Sequence, residues 1–204
     1  QYTLGAFFAG FCIGMLFYGP LSDILGRRKM LLSGLTIFTL ASLLCAQASS
    51  ADALIAFRAL QAFGSGAAIV MARAIARDVY PTGELPKVLS LMTLVTMIAP
   101  LLAPLLGGFL LIHFQWQAIF YLLALIGLCS ASCIVFLLPE TLTAQQESRN
   151  LLSVAFQNYA QVLSDREALS IIGTMAFSFA GMFAFISGSP FVYINYFDII
   201  LRQK

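Results

Sequence analysis

The one charged residue set deep within an apolar stretch is Arg58, inside the run 53–72, with Gln61 three positions on. A guanidinium at that depth in a membrane costs at least about 2 to 3 kcal/mol, so it is expected to face protein or a water-filled cavity and to need a partner. The rival reading is an arginine whose long stem reaches the headgroups from near the outer end of its helix. A second group is Gly19-Pro20-Leu21-Ser22-Asp23-Ile24-Leu25-Gly26-Arg27-Arg28-Lys29. Its two glycines predict a tight turn, with Asp23 pairing with Arg27 or capping the next helix and the cations held at headgroups. Arg73, Arg77 and Asp78 form a third group after the run that holds Arg58. A fourth is Pro100, Pro104, Gly107 and Gly108. The prolines cannot donate to the carbonyls of Thr96 and Pro100, which predicts a bent helix, and the two glycines let a neighbour approach closely.

Signatures of catalysis are missing. His113 is the single histidine, and no HExxH, GxSxG, CxxC, P-loop or GxGxxG occurs. Cys12, Cys45, Cys129 and Cys133 all lie in apolar runs. They are expected to be small packing residues, even though Cys129 and Cys133 share a helix face. The chain is therefore expected to be no enzyme, with no metal and no cofactor, and a pathway replaces a reaction centre.

The elements that must position these groups follow from composition. Of 204 residues, 60% are hydrophobic and 10% charged, with mean hydropathy +0.92, which excludes a water-soluble globule. Residues 1–22, 30–51, 88–139 and 168–197 contain no Asp, Glu, Lys or Arg. Cut at their turn residues and at roughly 20 apolar residues per bilayer crossing, the runs give six spans at 2–21, 30–48, 53–72, 88–112, 117–138 and 168–192. They are long and continuously apolar, unlike the alternation of barrel strands, so the fold class is all-α, a polytopic membrane protein. Basic residues alternate between connections: Arg27, Arg28 and Lys29 after span one, Arg73, Arg77 and Lys87 after span three, Arg149 and Arg166 after span five, none in between. Those three connections are expected to be cytoplasmic. A net charge of +2, spread over short gaps, points away from nucleic acid. Within 141–167, Leu152, Val154, Ala155, Tyr159, Val162 and Leu163 recur at helical spacing, and a linker helix on the cytoplasmic membrane surface is expected there. The first span begins at once, without a polar leader, and the last would leave Arg202 and Lys204 outside, so the chain reads as a fragment at both ends.

All four of these groups carry a resemblance. Gly19, Asp23, Gly26, Arg27 and Arg28 match the G-x-x-x-D-R-x-G-R-R/K loop between the second and third helices of the major facilitator superfamily, with Ile24 where a cation is usual. Residues 99–108 resemble the G-x-x-x-G-P-x-x-G-G motif of the fifth helix in its drug:proton antiporters, with Ala99 and Ala103 replacing two glycines. Arg58 and Gln61 resemble the R-x-x-Q-G motif of the fourth helix, with Ala62 in place of glycine. The stretch 71–80 and Leu138-Pro139-Glu140-Thr141 are similar to the bicyclomycin/chloramphenicol-resistance subfamily of 12-helix antiporters.

On that resemblance the chain supplies helices 2 to 7 of twelve. Residues 1–140 would be the remainder of the N-terminal half-bundle, 141–167 the linker, and 168–204 the start of the second half with a suspect tail. The implied function is proton-coupled efflux of small amphipathic drugs across the bacterial cytoplasmic membrane by alternating access between two halves. The implied partners are membrane lipid, drug and protons, with no oligomer required. Arg58 would serve proton coupling, and Asp23 would engage a helix N-terminus in the opposite half. The segment alone is expected not to transport. No carboxylate lies mid-membrane within 1–204, so a proton-carrying acid must sit elsewhere or be replaced by Arg58 acting through a partner. The alternatives are a metabolite or sugar porter of the same fold and a non-transporting membrane fragment.

Overall fold

The computed structural model describes residues 2–141 and 151–196. They form seven helices: α1 (Tyr2–Leu25), α2 (Arg27–Ala46), α3 (Ala51–Val79), α4 (Leu85–His113), α5 (Gln117–Leu137), α6 (Leu151–Ser164) and α7 (Arg166–Tyr196). No strand occurs among the described residues. Six of the helices are long and apolar enough to cross a membrane, and they coincide with the six apolar runs. The helices divide between two compact units, Gln1–Leu151 and Leu152–Lys204.

Local chemistry sets the helix ends. Ser50 Oγ accepts a hydrogen bond from the Ala53 amide at 3.2 Å and starts α3. That helix stops at Tyr80, the residue before Pro81, whose ring disfavours helical backbone in front of it. Pro86 sits in the first turn of α4, where its missing N–H is no loss. In the second unit, Asp165 Oδ1 takes the Glu167 amide at 3.0 Å at the start of α7. The helix over 151–164 appears as its spacing predicts, and its polar residues Gln157, Asn158, Gln161 and Ser164 gather away from Tyr159, Val162 and Leu163.

Two boundaries differ from the sequence expectation. The first helix does not end near Leu21: it runs through Gly19 and Pro20 to Leu25, so the reversal is made by Gly26 alone, at φ +98°. Gly19 belongs to the helix and takes no part in the turn. The third helix continues past Ala72 to Val79, which puts Arg73, Arg77 and Asp78 on its last turns instead of in a loop. Ala and Arg are strong helix formers, and these turns need no apolar surroundings to persist.

Within the first unit, α3 is the hub. Glycines set how closely the other helices approach it. A methyl group built on Gly10 would meet the Ala59 carbonyl carbon at 2.9 Å, and one on Gly14 would meet the Phe63 carbonyl oxygen at 2.5 Å. The backbones of α1 and α3 are therefore in direct contact, the arrangement small residues spaced by four permit in membranes. Gly34 of α2 and Gly64 of α3 face each other in the same way. Tyr18, Met30, Leu31, Leu35, Ala67 and Met71 form the core at this junction. Among the four cysteines only Cys45 is buried; Cys12, Cys129 and Cys133 are exposed, so a packing role holds for one of them. No group of three His, Cys, Asp or Glu able to hold a metal occurs among the described residues.

Candidate functional site

Arg27 opens α2 directly after the Gly26 reversal, which turns its side chain back along the end of α1. Its Nη1 lies 2.6 Å from Asp23 Oδ1, one turn earlier in sequence, and its Nε donates to Asp78 Oδ2 at 3.0 Å. Nη1 also donates to Ser22 Oγ, and that hydroxyl donates in turn to the Gly19 carbonyl at 2.6 Å. One guanidinium thus ties the end of α1, the start of α2 and the last turn of α3. Forked, always-charged Arg can satisfy two carboxylates from different helices at once, which a lysine cannot do with the same geometry.

A third carboxylate completes this end. The Arg27 amide donates to Glu140 Oε1 at 2.8 Å, and the Arg28 amide reaches the same oxygen at 3.4 Å. The first amides of a helix have no partner within it, and a carboxylate there is favoured by the helix dipole. Asp23 is therefore not the cap of α2; Glu140, more than a hundred positions away, is. Arg28 Nη2 donates to the Val135 carbonyl at 2.7 Å, among the last carbonyls of α5, which likewise lack partners in their own helix. The open start of α2 and the open end of α5 satisfy each other. Glu140 also explains why position 26 is glycine: a Cβ there would lie 2.6 Å from its carboxylate oxygen, at a backbone angle that L residues rarely adopt.

Arg58 lies at the other end of α3. Twenty residues separate it from Asp78, or about 30 Å along a helix axis. Its Nη1 donates to Gln61 Oε1 at 2.8 Å, Gln61 Nε2 donates to Ser42 Oγ at 2.7 Å, and Ser42 Oγ donates to the Phe38 carbonyl at 2.7 Å. Gln61 and Ser42 are both fully buried. The guanidinium carbon stands 4.5 Å from the ring centroid of Phe7 in α1 and 5.8 Å from that of Phe120 in α5. Its partners are thus an amide and two aromatic faces, and no described carboxylate pairs with it. Arg58 faces protein and has a partner, as its depth in the span requires, and that partner is Gln61.

The remaining expected site residues join neither cluster. Arg73 lines a cavity of about 570 Å³ between α3 and α4, with Ala68, Ala72, Met92, Thr93 and Thr96 among its walls. Arg77 is exposed beside Asp78, which alone of that charge group reaches Arg27. Pro100 and Pro104 lie within an unbroken α4, which has no buried residue. A methyl group built on Gly107 or Gly108 meets no atom within 4 Å, so the close approach expected at these glycines is not made by any described helix. Sequence reasoning missed Ser22, Ser42, Phe7 and Phe120, and it used Glu140 only within the Leu138-Pro139-Glu140-Thr141 resemblance. An acid directly after the fifth span, on the side of the membrane where Arg27 and Arg28 lie, was the available clue.

Six apolar helices, glycine-mediated contacts and ion pairs confined to the helix ends define a multi-pass α-helical membrane protein. Residues 1–200 match the model of the Major Facilitator Superfamily, and the chain belongs to that family. It is 35% identical over 203 residues to a bicyclomycin resistance protein homolog of Haemophilus influenzae, covering 100% of this chain and 51% of that protein. It is 38% identical over 201 residues to the MFS-type transporter YdgK of Bacillus subtilis, covering 98% and 50%. It is 34% identical over 188 residues to the multidrug resistance protein MdtL of Salmonella typhi, covering 92% and 47%. The chain spans about half the length of the curated relatives it matches. Family and helices together make it a multi-pass protein of the bacterial inner membrane.

Proposed function

We propose that this chain serves a proton-coupled exporter of small amphipathic drugs in the bacterial cytoplasmic membrane. In this reading the Arg27 end faces the cytoplasm, residues 1–140 belong to one half-bundle, 141–167 link the halves, and 168–204 begin the second. Support comes from relatives named for resistance to bicyclomycin and to multiple drugs. The observation that carries the reading is the Arg27 cluster. Alternating access needs contacts at one membrane face that hold an orientation and then release it. Asp23 suits that task, because Arg27 fixes its carboxylate while 44% of its side-chain surface stays open to a further partner. Arg58 and Gln61 serve the transport step itself, on a separate part of α3.

The test is drug-induced proton movement. Inside-out vesicles containing the full-length protein are acidified, and bicyclomycin is added while lumenal pH is followed with a fluorescent amine. Proton release that depends on the drug, and that falls by about tenfold in Asp23→Asn through loss of about 1.4 kcal/mol of orientation bias, is expected. Release driven by a sugar or metabolite and not by drugs would favour a nutrient porter and overturn the reading.

A further inference from the structure

The Arg58 cluster has the components of a small-anion site. Nη1 is engaged by Gln61, and no described residue accepts a hydrogen bond from the other guanidinium N–H groups. Arg58 is only partly buried, so part of its surface stays open. Nor is the cation cancelled from a distance. The nearest acid in sequence is Asp52, six positions earlier and exposed, and the runs 1–22, 30–51 and 117–138, which supply the neighbouring helices, contain no charge. We propose that Arg58 is a recognition point for a carboxylate on the transported molecule, so that the substrates include small amphipathic monocarboxylates. This rests on the export reading above.

Three features select that class. A planar guanidinium fork pairs with a carboxylate through two parallel hydrogen bonds, which a spherical anion cannot match. A single cation in apolar surroundings balances one negative charge; a doubly charged phosphate would leave an excess. Phe7 and Phe120, from two different helices, present aromatic faces beside the charge and suit an apolar or aromatic body attached to the acid. The fully buried Gln61–Ser42 pair behind Arg58 fixes the guanidinium before any ligand arrives.

Equilibrium binding of radiolabelled benzoate to the full-length protein in lipid nanodiscs, in chloride-free sulfate buffer, tests the site. Benzoate is expected to bind saturably, with benzamide, its uncharged counterpart, a poor competitor. Arg58→Gln is expected to weaken binding by about tenfold or more. Arg58→Lys keeps the charge without the fork and is expected to fall between wild type and Arg58→Gln, so it decides the matter if Arg58→Gln fails to assemble. Equal competition by benzamide, undiminished binding to both variants, or displacement by chloride as effective as by benzoate would overturn the carboxylate site. Export of a neutral amphipathic drug by the same protein reconstituted in sealed proteoliposomes is followed alongside. If that export persists without benzoate binding, the site fails and the exporter reading stands; if benzoate binds and neither compound moves, the exporter reading fails.

Discussion

Arg27 and Arg58 carry the same group at opposite ends of α3, and the fold treats them in opposite ways. Around Arg27 the helices bring Asp23 and Asp78 to its side chain and Glu140 to its amide. Around Arg58, among the described residues, they bring the neutral partners Gln61, Phe7 and Phe120. An arginine surrounded by acids holds structure together, because removing it leaves the acids facing one another. An arginine supplied with neutral partners is held in place but left charged, which a folding requirement alone does not explain. The contrast separates a fastening from a site.

The largest effect should come from disturbing the scaffold that carries both. Gly14→Leu forces a branched side chain into the α3 backbone at Phe63 and is expected to cost about 3 kcal/mol or more, read as loss of a folded peak in detergent chromatography. The contrast itself is tested by removing each charge in turn. Arg27→Met should destabilise by about 2 kcal/mol in thermal unfolding, less than a fully buried pair would lose, since Asp23 is partly exposed. The double variant Arg58→Met, Gln61→Leu removes a guanidinium that is costly to insert and leaves no orphaned amide oxygen. It should keep or raise the midpoint, by up to about 2 kcal/mol, while export is lost. Equal destabilisation by both replacements would erase the distinction. Glu140→Gln, which removes the negative charge at the start of α2, should cost about 0.5 to 1 kcal/mol and speed amide exchange at Arg27 and Arg28.

Much of this was readable from the residues, and the reasons it stopped are physical. Charge-free runs revealed the spans because lipid admits little else, and Asp23 with Arg27 was one of two roles the turn offered that acid. Arg58 and Gln61 were linked by a motif within a single element. Partners on other elements were not accessible that way. Glu140 meets Arg27 across more than a hundred positions, and Ser42 meets Gln61 across nineteen, distances over which a periodicity carries no information. Gly10 and Gly14 matter through what they touch on α3, and in sequence they resemble any other small residues in an apolar run. The helix ends at Leu25 and Val79 escaped because the apolar run marks where lipid ends, whereas the helix ends where a glycine or a proline interrupts the backbone. At Gly107 and Gly108 the motif pointed to a close neighbour that no described helix provides.

The one-residue joint at Gly26 has a mechanical meaning. With a single residue between α1 and α2, and with the amides just beyond it clasped by Glu140, there is no slack to absorb a change in the tilt of α1. A lean of that helix must either break the clasp or be relayed at once to the trailing end of α5, so the joint works as a stiff crank and not as a loose tether.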